Sequence, residues 1–313
     1  MKQRIIIAGG SGFLGTALAR RFAARGDEVM VLTRAAKPRT DGVREISWGA
    51  KTAGDWAALV DGAGVVLNLT GKSVDCRYTE ENRRAIIASR VDSTRAIGEA
   101  IARCAKPPRV WLNASSATLY KHAPDHPADE SSPTGATPEA HDAFSIEVIR
   151  EWERALDEAR TPDTRKVALR ITMVFGPTVG VFPVLRRLTR FGLGGRMGSG
   201  RQFVSWIHEE DFCRAIEWLI ERDDLNGPVN LAAPNPLTNA EMMRLMRQAC
   251  GMPVGLPATE WMLEIGAFFL RTETELILKS RRVVPGRLLA SGFQFHFPSL
   301  EKALGDLQRR KNG

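Results

Sequence analysis

A run of three isoleucines leading directly into a glycine-rich turn, residues 5–15 (IIIAGGSGFLG), limits what this chain can fold into more than any other feature. Ile5, Ile6 and Ile7 are β-branched and show no polar alternation, the pattern of a parallel strand covered on both faces. Gly9, Gly10 and Gly12 are expected to turn the backbone through positive φ and to leave no Cβ between main chain and ligand, while Gly15 lets the next helix pack closely on the strand. That helix carries Phe13, Leu14, Ala17, Leu18 and Phe22 on one stripe and ends near Gly26. Strand, turn and helix in this order aim unpaired N–H groups and the positive end of a helix dipole at one point, where a pyrophosphate fits. The G-x-G-x-x-G spacing is common by itself; its position between a strand and a helix makes it a dinucleotide signature.

Which dinucleotide follows from the end of the next strand, residues 28–34 (EVMVLTR). An acidic side chain there accepts from the ribose 2′-OH of NAD, whereas a cation suits the 2′-phosphate of NADP. This chain has Thr33 and Arg34, followed by Lys37 and Arg39, so NADP(H) is the expected cofactor.

The 313 residues allow one large or two modest domains, and 43% hydrophobic content is ordinary for a globular protein. The longest apolar stretches run to about ten residues, and residues 261–270 are interrupted by Glu264, too short to span a bilayer. With no leader pattern ahead of the first strand, a cytoplasmic protein that does not enter membranes is expected. Cys76, Cys104, Cys213 and Cys250 lie far apart without C-x-x-C or metal-ligand spacing and are expected to be reduced. The formal charge is +8, but basic residues are scattered among acidic ones, which argues for an anionic cofactor or substrate and against nucleic acid.

Farther along, residues 43–48 read as a strand, 56–60 as a short helix and 65–69 as a fourth strand running into Thr70 and Gly71. Leu69, Thr70 and Gly71 end a parallel strand, where ligands bind in open α/β sheets. A long helix over residues 79–104 has apolar positions at helical spacing, with Arg90 beside them and able to reach inward. Residues 110–113 form a fifth strand followed by Ser115 and Ser116, which either donate to a substrate oxygen or cap the turn. Residues 121–142 form a loop whose His122 and His126 are separated by prolines, so no metal site is expected. A helix with Phe144, Val148, Ile149, Trp152 and Leu156 precedes a sixth strand, 167–175. Beyond it the pattern predicts a basic amphipathic helix over 181–191, a flexible glycine loop over 192–200 and a strand over 203–207. A helix over 209–222 with acidic residues in its first turn and a buried strand over 229–233 follow. Thr238 and Glu241 form a capping box for a helix reaching Cys250; helices around 258–270 and 273–280 and a terminal helix from Ser299 complete the chain.

Three segments, GGSGFLG at the start, SSATLY at 115–120 and LRITMVFGP at 169–177, resemble the extended short-chain dehydrogenase/reductases of the NAD-dependent epimerase/dehydratase superfamily. More narrowly, FGLGGRMGSGRQFVSWIHEEDF (191–212), GPVNLAAPNPLTNAEM (227–242) and RRVVPGRLLASGFQFHFP (281–298) resemble its atypical subfamily of epimerase family proteins, once labelled cell-division inhibitors. The resemblance runs the whole length. It implies an α/β fold: a Rossmann-type doubly wound parallel sheet over residues 1–177, to which 203–233 return, and a small C-terminal α/β substrate domain from 178–202 and 234–313. It further implies NADP(H) contacts from Gly9, Gly12, Phe13, Leu14, Gly15, Thr33, Arg34, Leu69, Thr70, Arg90 and Val174, with Ser116 at the place of the superfamily's catalytic serine or threonine. A homodimer through the helices at 79–104 and 144–156 is a further expectation from superfamily habit.

The departure matters more than the match. The superfamily's usual acid/base engine is a tyrosine followed four residues later by a lysine, and this chain has Phe144 and Val148 on the corresponding helix. Its only tyrosines, Tyr78 and Tyr120, are not followed by lysine at that spacing. The resemblance implies that the subfamily generally lacks the pair. Substitutes are Tyr120, Lys121 and His208, the last weighed against a capping or packing histidine, while Trp206 reads as core. Arg196 and Arg201 could hold an anionic substrate or be solvated. Two functions stay open: an NADP(H)-dependent oxidoreductase or epimerase acting on a small polar substrate of nucleotide-sugar type, and a non-catalytic NADP(H) sensor.

Overall fold

The computed structural model describes residues 2–122, 125–263 and 278–312. β1 (Arg4–Ala8) leads into α1 (Phe13–Ala24), followed by β2 (Glu28–Thr33), β3 (Val43–Ser47) and β4 (Val65–Asn68). Next come α2 (Glu80–Ala102), β5 (Val110–Ser116), α3 (Ala143–Asp157), β6 (Arg165–Ile171) and β7 (Met173–Phe175). The remaining elements are α4 (Val181–Leu188), β8 (Phe203–Val204), β9 (Trp206–His208), α5 (Glu209–Glu221) and β10 (Gly227–Leu231), then β11 (Leu237–Thr238), α6 (Asn239–Cys250), α7 (Gly286–Ala290) and α8 (Leu300–Asn312).

Seven strands form one parallel sheet in the order β10-β6-β5-β4-β1-β2-β3, which makes the fold the Rossmann-type α/β one expected. The chain runs outward from β1 to β3 and then crosses back to β4. The carboxyl ends of β1 and β4 thus flank the switch point, where a crevice opens. The isoleucine run is explained by the two cores. Ile5 and Ile7 pack with Leu18, Phe22, Phe212 and Ile216 on one face, and Ile6 with Trp56, Ile97 and Ile101 on the other. A third core joins Phe175, Phe182, Trp206, Met243, Met246 and Leu304.

Several boundaries differ from expectation for identifiable reasons. The strand expected over 167–175 is two strands, because Thr172 turns both its N–H and its hydroxyl to Leu231 O, at 3.2 and 2.7 Å. β7 then leaves the main sheet and pairs with β9. The strand expected over 203–207 likewise divides, β8 pairing with β11 and β9 with β7. The basic helix ends at Leu188 and passes into a π turn, Thr189–Leu193, where Thr189 Oγ1 bonds back to Leu185 O at 2.8 Å and Gly192 takes a φ of 78°. The glycine stretch expected to be flexible is pinned, with Gly195 N–H to Leu256 O at 3.1 Å and Gly198 N–H to Ala258 O at 2.8 Å. The helices expected around 258–270 and 273–280 fall largely outside the described residues, although 260–263 are helical.

Candidate functional site

At the first turn, three of the four glycines, Gly9, Gly10 and Gly15, have a steric reason of their own. Gly9 alone has positive φ, 74°, and a Cβ there would lie 2.9 Å from the main-chain carbonyl of Leu69. Gly10 and Gly12 do not take the positive φ expected of them. A Cβ on Gly10 would strike the Val31 side chain at 2.7 Å, and Gly12 is the extended N-cap residue of α1, with φ −77°. Gly15 is needed for close packing, since a Cβ would fall 2.4 Å from Gly10 Cα. α1 has neither a capping side chain nor an acidic residue in its first turn. Its leading N–H groups therefore remain available to an anion beside the exposed Gly12. Phe13 lies against the end of β7: a Cβ at Gly176 would be 2.5 Å from its ring. Val174 of β7 and Leu14 join the same apolar wall.

Thr33 ends β2 buried, its hydroxyl 3.3 Å from Ser11 Oγ, which ties the strand end to the glycine turn. Arg34 follows in the open and meets no carboxylate among the described residues. Arg39, in contrast, is held by Asp41 and, at 3.1 Å, by Glu45, and these hydrogen bonds raise its pKa.

Across the switch point the end of β4 is fixed by a buried amide cluster that the motif reading missed. Asn68 Nδ2 donates to Asn113 Oδ1 at 2.8 Å and Thr94 Oγ1 at 3.3 Å, and Asn68 Oδ1 accepts from Thr70 N–H at 3.1 Å. The signal was present: the strands VVLN and VWLN each end an apolar run with asparagine, and Asn68 and Asn113 pair in register. Arg90 does reach inward. Its guanidinium stacks over Trp152 at 5.0 Å, donates to Ile86 O at 3.0 Å and would lie 3.1 Å from a Cβ at Gly71. Burial without a carboxylate partner pulls its pKa down to about 10.

Beyond β5, Ser116 is half-buried and its Oγ accepts from Thr118 N–H at 3.2 Å, capping the short helix Ala117–Leu119. Because that cap uses a lone pair, the hydroxyl proton stays free to be donated. Ser115 instead points to Glu153 at 2.5 Å, and Glu153 pairs with Arg170 at 2.9 Å. Arg170 donates to the Tyr120 hydroxyl at 3.0 Å, and that hydroxyl donates to Asn230 Oδ1 at 2.8 Å. Tyr120 is 3% exposed, and burial raises its pKa despite Arg170. Its geometry is that of a brace between β5, β6 and β10 and argues against proton transfer to a substrate.

His208 is 0% exposed and acts as the N-cap of α5, its Nδ1 accepting from Glu210 N–H at 3.0 Å. Its ring stacks on Phe297 at 3.9 Å, and Nε2 lies 3.3 Å from Asp306. Burial lowers its pKa to about 4, so the capping and packing role, rather than catalysis, fits the geometry. Phe144 and Val148 sit in an apolar cluster with Ile86, and Tyr78 packs edge-on against Phe144 at 4.7 Å. Trp206 is core; Arg196 donates to Ser199 O and Arg201 is exposed. The glycine turn, Thr33–Arg34, the end of β4 and Ser116 thus share the carboxyl edge of the sheet, while Tyr120 and His208 are committed elsewhere.

This edge, with its open helix N-terminus at a switch point, defines a dinucleotide-binding Rossmann protein of the short-chain dehydrogenase/reductase type. The chain belongs to the NAD dependent epimerase/dehydratase family, whose model matches residues 5–232, and residues 258–307 match a domain of unknown function. It is similar to the human epimerase family protein SDR39U1, 32% identical over 310 residues that cover 97% of this chain and 99% of that protein. The epimerase family protein YfhF of Bacillus subtilis is 29% identical over 310 residues, 97% and 98% of the two chains. Among solved structures, human SDR39U1 with NADPH superposes with a TM-score of 0.85 at 30% identity, covering 98% of this chain and 99% of that one. A nucleoside-diphosphate sugar epimerase from Corynebacterium glutamicum gives 0.76 at 26% identity, covering 100% of this chain and 61% of that one.

Proposed function

We propose that this protein binds NADP(H) and acts as an oxidoreductase or epimerase on a small polar substrate of nucleotide-sugar type. The observation that carries the reading is the contrast at the end of β2, where Arg34 meets no carboxylate among the described residues and no acidic residue takes the ribose-reading position. The NADPH in the human relative supports it. When bound, the nicotinamide supplies or accepts a hydride. The N–H groups of α1 would hold the pyrophosphate and Arg34 the 2′-phosphate, while Arg90, which has no carboxylate partner among the described residues, would attract a cofactor oxygen beside Gly71. Ser116 donates its free proton to a substrate oxygen.

A second reading, a cofactor sensor without chemistry, is favoured by the apolar packing of Phe144 and Val148 and by the commitment of the Tyr120 hydroxyl. A substrate screen followed at the NADPH absorbance separates the two. Turnover that falls at least tenfold in Ser116→Ala supports the enzyme. Tight NADPH binding with no turnover on any nucleotide sugar supports the sensor.

A further inference from the structure

α4 and the π turn after it carry Arg186, Arg187 and Arg190, which line an open recess of about 420 Å3 together with Pro183, Val184 and Phe191. None of the three guanidiniums meets a carboxylate among the described residues, and the sequence supplies none nearby along the chain: no Asp or Glu occurs between Asp163 and Glu209. Arg186 is only 8% exposed, with its guanidinium 5.6 Å from the centre of the Phe182 ring. A buried arginine is ordinarily paired, because desolvating the cation is costly without a compensating charge. Arg190 does reach the Cys250 thiol, but burial raises that thiol's pKa and keeps it neutral. Among the described residues no group supplies the missing negative charge.

The rest of the lining says what kind of anion fits. Val184 and Phe191 are 51% and 74% exposed beside the arginines. A volume of this order suits a small organic ligand, and forked guanidiniums match phosphate oxygens. Phe182 and Leu185 of α4 pack into the core with Met243 and Leu304 and do not line the recess, and no residue of the glycine turn lines it. We propose that it is a second anion site, binding a phosphate ester through Arg186, Arg187 and Arg190 and covering the ester's apolar part with Val184 and Phe191. Its source is a free organophosphate or the headgroup of a phospholipid; the phosphate chemistry is shared.

The test uses the full-length protein saturated with NADPH, so that the glycine turn is blocked, and 1-naphthyl phosphate as probe, followed by calorimetry. The probe is expected to bind while 1-naphthol does not, with affinity at least about tenfold weaker in Arg187→Gln/Arg190→Gln, as for lost charge-assisted hydrogen bonds. NADPH affinity is expected to stay unchanged in that variant. Phe191→Ala should weaken the naphthyl ester more than inorganic phosphate. Cosedimentation with phosphatidylcholine vesicles containing phosphatidylglycerol, lost in the double variant, assigns the headgroup; binding of the soluble ester alone assigns a free organophosphate. No uptake of the ester and no cosedimentation, or equal binding by the double variant, would overturn the site.

Discussion

Two arginines close to the end of β2 carry the same charge in different circumstances. Arg39 is locked by Asp41 and Glu45, whereas Arg34 keeps its guanidinium available. Arg34→Ala is therefore expected to weaken NADPH by roughly 1.5–3 kcal/mol and to spare NADH, and Arg39→Ala to leave that selectivity alone. Calorimetric titration with both cofactors measures it, and equal loss of both in Arg34→Ala would remove the assigned role. At Gly15 the constraint is backbone against backbone, since a Cβ would lie 2.4 Å from Gly10 Cα. Gly15→Ala should cost about 1–3 kcal/mol, as overpacking does, and cofactor uptake with it. The check is a urea titration beside an NADPH titration; a variant as stable and as tight as the parent would contradict the packing argument.

At the scale of elements, buried polar groups bind strands and helices to one another, and they predict how stability responds to pH and to charge removal. His208 joins the start of α5 to Phe297 and to α8 while uncharged. Unfolded, it takes a proton below its ordinary value of 6.5; folded, burial delays this to about 4. Its contribution is thus complete above pH 6.5 and is lost as the pH falls toward 4, by about 3 kcal/mol in all. His208→Asn, which can still cap the helix but not titrate, should flatten that part of the stability curve, and an unchanged slope would exclude His208 as its source. Between α3 and β6, the Glu153–Arg170 pair is nearly sealed from solvent. Glu153→Gln leaves a buried guanidinium uncompensated and should cost about 3–5 kcal/mol in chemical denaturation.

For the molecule as a whole, the main question is what joins the C-terminal segment to the sheet. Lys279 meets Asp142 at the start of α3 with both side chains fully buried, and also donates to Thr118 O at 2.6 Å in the turn after Ser116. Asp142→Asn should loosen this junction, which limited proteolysis would detect as faster cleavage in the C-terminal segment. Added Lys279→Met should restore part of the loss by removing the stranded charge, and no recovery would mean the pair is not the fastening. The outward faces of α2 and α3, where superfamily habit puts a dimer, carry no exposed large hydrophobic residue; among the described residues all such residues but Leu289 lie at 179–193 and 254–262. Much of this was legible locally. The isoleucine run, the glycine turn and the Thr238 cap are set by neighbours a few residues apart, so periodicity and turn chemistry reveal them. The interruption of β6 at Thr172, the amide cluster at Asn68 and the commitment of Tyr120 were not, because their partners lie 26 to 110 residues away. The order of residues by itself determined that a parallel sheet begins with a phosphate-holding turn and that the usual tyrosine–lysine pair is absent. Only the tertiary structure decided which polar side chains stay free to meet a ligand, because that depends on which partners folding brings within hydrogen-bonding reach.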